Sequence, residues 1–306
     1  MKIVESVPNF SEGRKQEVVE AIVDEARAVD KVWVLDYSSD PDHNRSVVTI
    51  AGDPNAVVTA LFNMSKKAQE LIDLRKHRGE HPRMGAVDVI PLVPIMGITK
   101  EECVELSKEL GEKIGEELEI PVYLYEYSAS SKERENLSGI RKGEFEGFHE
   151  KIKLPNWKPD FGPEKVHPTA GVVAVGCREF LIAFNVNLGT DNIEIARKIA
   201  KAVRHISGGF KYVKALGFKL EERGIVQVSM NLTNYKKTPV HRVFEIIKLE
   251  AERYGVPIVG SEIVGMVPMK ALLDVADFYL RLENYDPDLV IEKKLLDTIS
   301  READEQ

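Results

Sequence analysis

The chain of 306 residues is long enough for two lobes of about 150 residues each and for a core that needs neither disulfides nor a structural metal. With 43% hydrophobic and 30% charged residues it is not a disordered chain, and a net charge of −8 excludes nucleic-acid binding driven by overall basicity. Eight acids against three bases from Glu283 onward hold −5 of that charge, so residues 1–282 carry only −3 and leave room for a local cationic site.

Read in chain order, Lys2–Val7 is expected as a strand, Gly13–Ala28 as a helix, and Val32–Tyr37 with Arg45–Gly52 as a strand pair. Asp53-Pro54 starts a helix whose apolar positions Val58, Leu61, Phe62, Ala68, Leu71 and Ile72 keep helical spacing. Ala86–Val93 reads as a strand, a helix opens at Thr99 with Glu102 completing a capping box, and Pro121–Tyr125 adds a strand. Residues 153–168 hold four prolines and no periodicity, which marks a connector. Beyond it Phe180–Leu188 alternates with period two, and Asp191 offers a helix cap with Glu194 three residues on. Gly208-Gly209 ends that helical region, Tyr212–Leu220 and Ile225–Thr233 read as strands, Thr238-Pro239 starts a helix that Gly255 stops, and Pro257–Val264 is the last strand.

The second half thus runs β-α-β-β-α-β, and the first half begins in the same order. The expectation is an α+β fold of two ferredoxin-like α/β sandwich lobes, residues 1–179 and 180–306, with an acidic tail from about 283. Such a sheet has helices on one face only. Its other face should carry Asn185, Asn187, Gln227, Ser229 and Asn231 in the second lobe and Arg45 with Thr49 in the first. Either these are ordinary solvent-facing residues, or the two sheets face each other across a polar cleft.

Chemistry concentrates in Arg75–Gly85, where four fixed cations and two histidines leave a helix and enter a strand. Histidine carries protons at cellular pH, so His81 is a candidate proton carrier; on spacing alone it could equally hold a turn before Pro82. His77 reads as a complement to the preceding helix C-terminus, His43, His149, His205 and His241 as surface or structural residues, and His167 as a possible ligand contact in the connector. Cys103 and Cys177 have no zinc spacing, no histidines join carboxylates at metal spacing, and no metal is expected. A nucleophile elbow, a P-loop and a dinucleotide fingerprint are all missing from the sequence. An acid at Glu5 comes too early for a signal peptide and no apolar run is long enough to span a membrane, so a cytoplasmic protein without membrane or nucleic-acid partners is expected.

Several stretches are long enough to compare with a family. Val7–Gly13 (VPNFSEG), Gly79–Gly85 (GEHPRMG), Val122–Tyr125, Pro159–Pro163 (PDFGP), Phe180–Leu188 and Gly260–Leu272 resemble the glutamate formimidoyltransferase (formiminotransferase) family, in order and over roughly Met1–Leu280. The chain resembles the stand-alone form rather than the animal form fused to a cyclodeaminase. The resemblance implies transfer of a formimino group from N-formimino-L-glutamate to N5 of tetrahydrofolate, a homodimer, and a folate tunnel between two subdomains. It places the family's catalytic histidine on His81 and its folate-binding stretch on Gly162, Pro163, Glu164, Lys165, Val166, His167, Pro168, Thr169, Ala170 and Gly171. Glu262 stands where the animal members carry glutamine. Both substrates bear glutamyl carboxylates, which a forked guanidinium suits, so Arg45 and Arg83 are candidate anchors, with Asn187 a candidate for pterin or amide groups. Formyl transfer between N-formylglutamate and folate, and a non-catalytic folate or amino-acid binding protein, stand as alternatives.

Overall fold

Proline and short buried runs decide where this chain departs from its expected strands. The computed structural model describes residues 1–304, and the chain divides into two compact units, Met1–Arg178 and Glu179 onward. In the first unit the expected opening strand is β1 (Ile3–Ser6), and past Val7-Pro8 comes a short strand that was not expected, β2 (Asn9–Phe10). Proline has no N–H for the ladder; its carbonyl instead accepts the Val48 amide. Both pieces lie between β4 (Arg45–Gly52) and β5 (Val87–Met96). β3 (Val32–Asp40) pairs with β4 and runs three residues beyond its expected end, which sets Asp40 opposite Arg45.

The first unit's helices start where their capping chemistry says. α1 (Gln16–Arg27) is followed by α2 (Pro54–Leu71), where the Asp53 carboxylate accepts the Asn55 and Ala56 amides. α3 (Lys100–Glu117) has the expected capping box: Thr99 Oγ1 accepts the Glu102 amide at 3.1 Å, and Glu102 accepts the Thr99 amide at 2.8 Å. Ile22 and Val23 of α1, Leu61 and Met64 of α2, and Leu110 and Ile114 of α3 share one core with Val4, Val48, Ile50, Ile90 and Leu92 of the sheet.

Past α3 come β6 (Val122–Leu124), α4 (Leu137–Arg141), α5 (Glu144–Lys151) and β7 (Val173–Cys177). β7 lies between β5 and β6 and is parallel to both, giving a seven-stranded sheet. It has no counterpart in the sequence reading. All five of its residues are buried, so it shows no period-two alternation, as expected of a parallel strand covered on both faces.

The second unit runs β8 (Ile182–Leu188), α6 (Ile193–Val203), β9 (Val213–Leu220), β10 (Ile225–Leu232), α7 (Val240–Arg253) and β11 (Ile258–Val264). Its four strands are antiparallel, in spatial order β11-β8-β10-β9. Ile182, Val186, Val226 and Val228 pack against Ile199 and Val203 of α6 and Val243 and Ile247 of α7. Two caps sit one residue from expectation. Asn192, not Asp191, accepts the Glu194 amide, and Pro239 precedes α7 rather than opening it. α8 (Met269–Leu280) and α9 (Ile291–Asp304) follow. Among the described residues the molecule is α+β, with two sheets and nine α-helices.

Candidate functional site

The site is built from the β3–β4 turn outward. Asp40 Oδ1 accepts the Asp42 and His43 amides at 2.9 Å each, and Oδ2 meets His43 Nδ1 at 2.6 Å. Asn44, at φ 48°, accepts the Gly13 amide and donates to the Arg78 carbonyl, 3.0 Å each. The loop carrying His81 is therefore stitched to this turn. The Glu80 amide adds a bond to the Asp42 carbonyl at 3.2 Å, and Gly79 lies so close that a Cβ there would stand 2.2 Å from the His43 carbonyl oxygen. Only glycine permits that approach, which is what fixes His81 over β4.

Arg45, first residue of β4, places its guanidinium NH1 2.7 Å from His81 Nε2. A guanidinium can only donate, so Nε2 is the acceptor and the ring proton resides on Nδ1. Burial, then Arg45, Arg141 and His43, hold the imidazole well below its ordinary value, down to about 3, against a weaker opposing bond to the Pro82 backbone. His81 is thus neutral at any cellular pH. Burial likewise lowers Arg45, assisted by Arg141 and opposed by Asp88 and Asp40. His43 is exposed, as expected, yet its ring centroid is 6.3 Å from that of His81, in a turn that the acid three residues before it holds tight.

His77 and Arg83 of the loop serve the scaffold. His77 is buried; its Nε2–H donates to the Asn44 carbonyl at 2.8 Å, and Nδ1 accepts from Arg83 Nε at 3.3 Å. Arg83, expected as a carboxylate anchor, is itself buried and bound as a fork by Glu146 at 2.8 and 2.6 Å, with Glu144 at 3.0 Å. Its guanidinium is already committed, which corrects its expected availability to a substrate. Arg141 of α4 is the cation that sequence reasoning missed. It is bound by Asp88, a lone acid in the apolar run of β5 that could have been flagged for that reason.

The expected folate stretch runs beside the His81 loop. At its start, Asp160 Oδ2 accepts from Arg134 and from the Leu124 amide at 2.7 Å each, tying the Asp-Phe-Gly-Pro motif to β6. At its end, Ala170 O accepts the Ala86 amide, Thr169 O the Leu74 amide and Met84 O the Val172 amide, each at 2.9 Å. His167 holds the turn between: Nδ1 accepts the Ala170 amide at 2.9 Å, and Nε2 lies 3.1 Å from Gln69 Nε2. Val166 is buried, while Glu164 pairs with Lys158 at 2.8 Å. Backbone of 169–172 is thereby set against backbone of 84–86, three residues from His81.

In the second unit Asn187, Asn185 and Gln227, expected on an uncovered sheet face, are buried. Gln227 Nε2 donates to Asn187 Oδ1 at 3.0 Å and to Glu262 Oε1 at 2.9 Å, and Asn185 donates to the same carboxylate oxygen at 3.0 Å. The cross-strand register, Gln227 opposite Asn187 and Glu262 opposite Asn185, produces this polar row. A groove of about 560 Å³ in the same unit, lined by residues such as Phe184, Val240, Phe244 and Tyr279, contains none of the expected site residues.

Comparison with known proteins accounts for nearly the whole chain. Residues 3–178 match the Formiminotransferase domain, N-terminal subdomain, and residues 183–300 match the Formiminotransferase domain. The chain is 56% identical to the glutamate formimidoyltransferase of Streptococcus pyogenes serotype M1, covering 93% of this chain and 95% of that protein. It is 52% identical to the glutamate formimidoyltransferase of Thermoplasma acidophilum, covering 96% and 98%. With the formimidoyltransferase-cyclodeaminase of Dictyostelium discoideum identity is 47%, over 92% of this chain and 54% of that protein.

Proposed function

The chain belongs to the formiminotransferase family, and on that premise we infer that it transfers the formimino group of N-formimino-L-glutamate to N5 of tetrahydrofolate, releasing L-glutamate, with His81 as general acid and base. The folate nitrogen attacks the amidine carbon to give a tetrahedral carbon bearing three nitrogens. Its collapse needs a proton taken from N5 and a proton given to the departing glutamate nitrogen. One imidazole can do both in turn, an effect typically worth about 10²–10⁴-fold. The reaction needs no covalent enzyme intermediate.

The observation that carries this reading is His81 Nε2 held 2.7 Å from the Arg45 guanidinium, with Arg141 also acting on the ring. The imidazole supplies the base, and the cations suit glutamyl carboxylates. Arg45 is the proposed anchor of one such carboxylate, backbone of 162–171 the proposed folate contact, and Asn187 a contact for pterin or amide groups. We read the four antiparallel strands of the second unit and the β3-β4-β1/β2-β5 portion of the first as ferredoxin-like, and expect a cytoplasmic homodimer. Purified protein assayed with tetrahydrofolate and either formiminoglutamate or N-formylglutamate tests the assignment. Turnover is expected with the formimino donor; preference for the formyl donor, or binding of folate with no turnover of either, overturns it.

A further inference from the structure

Arg45 sits on the wrong partner for a resting cation. Two carboxylates are near it, yet both are spoken for: Asp88 takes Arg141 and the Met84 amide, and Asp40 takes His43 with two turn amides. Its NH1 instead caps the neutral lone pair on His81 Nε2 at 2.7 Å. That lone pair is the one a general base needs. A carboxylate brings an opposite charge and two oxygens that match the guanidinium fork, whereas a neutral imidazole offers one lone pair, so an incoming carboxylate outcompetes the imidazole for the same group.

We propose that Arg45 is a carboxylate-operated cap on His81: the glutamyl carboxylate of the donor draws the guanidinium off Nε2, and the imidazole becomes a working base only with substrate in place. The proposal rests on the transferase reading above and adds control of His81 to the role of Arg45 as carboxylate anchor. The charged and titratable groups facing His81 are Arg45 from β4, Arg141 from α4 and His43 from the β3–β4 turn, with Asp88 of β5 and Asp40 of β3 acting on Arg45. Pairing Arg45 with an anion removes both the cap and much of the like-charge repulsion, so the basicity of His81 rises at the moment it is needed.

The test is an NMR titration of imidazole-labelled protein without folate, so that no turnover occurs; the seven histidines are few enough for His81 to be assigned by its absence in His81→Gln. In the free protein the His81 midpoint should lie near 3. Saturating L-glutamate or formiminoglutamate should raise it by at least about one unit. Arg45→Gln should show the raised midpoint already in the free protein and no response to glutamate, while Arg45→Lys should retain part of the response. A wild-type midpoint near 6.5 before ligand, or one that stays put while glutamate binds, overturns the cap. Turnover measured after tetrahydrofolate is added to the same preparation separates the two readings: normal turnover with an unresponsive midpoint sinks the cap alone, a responsive midpoint without turnover sinks the reaction alone, and failure of both amino acids to bind sinks both.

Discussion

Asp88 grips Arg141 with one carboxylate oxygen and the Met84 amide with the other, so a single buried acid on β5 ties α4 to the loop that carries His81. Asp88 is 1% exposed, and removing its charge leaves the largely buried Arg141 uncompensated. Breaking one side of such a pair costs about 3 kcal/mol. Asp88→Asn should lower stability by about that amount in urea unfolding at pH 7. A loss below about 0.5 kcal/mol shows that the pair behaves as a surface salt bridge.

His81→Asn should reduce turnover at least about 10²-fold while leaving reduced-folate binding in calorimetry near wild type. Its stability should change with pH as well. The folded imidazole is depressed from 6.5 to about 3, so its unprotonated state is fully compatible with the fold above pH 6.5, and stability is lost as pH falls from there toward 3. The variant lacks that proton uptake on unfolding, so its acid limb should be flatter than that of wild type across this window. Identical limbs in the two proteins contradict the depressed value.

What could be read from the sequence was whatever has a local cause. The Thr99 box, the Asp53-Pro54 start of α2 and the alternation of β8 and β10 each depend on neighbours within a few residues. β7 could not be read, because its buried apolar run owes its place to β5 and β6 rather than to its own pattern. In the proposed site, His81 was singled out on the family motif, but its environment could not be read. Arg141 and His43 reach it only through tertiary contact, across 60 and 38 positions of chain respectively. Arg83 was misjudged for the same reason: nothing near it in sequence announces Glu144 and Glu146.

Gly171 is where the proposed folate stretch and the backbone after the His81 loop are held in register. Its φ is 71°, and a Cβ there would lie 2.2 Å from the Met84 carbonyl oxygen, backbone that cannot swing aside. The left-handed conformation alone costs a side chain about 1–3 kcal/mol, and the clash adds to that. Gly171→Ala should therefore destabilise the protein by at least about 2 kcal/mol in thermal or urea unfolding and weaken folate binding at temperatures where it stays folded. An alanine variant with wild-type stability means that the 84–86 and 170–172 backbones separate freely.

Glu5 makes the opposite pH prediction from His81. It lies on β1, 4% exposed, with its Oε2 unpartnered, and burial raises its carboxyl from 4.5 to about 7 despite the opposing charge of Arg178. A raised folded value means that the fold favours the protonated acid. Its contribution is fully present below pH 4.5 and is lost as pH rises through about 7. The full shift corresponds to about 3 kcal/mol, an upper bound because structure relaxes around a charged group. Glu5→Gln carries no charge to desolvate, so it should match wild type near pH 4.5 and exceed it in urea unfolding at pH 8.5, by about 1–3 kcal/mol. If the glutamine variant is instead the weaker protein at pH 8.5, the ionised carboxylate is stabilised by Arg178 more than burial penalises it, and Glu5 belongs to an ion pair rather than to a buried neutral acid.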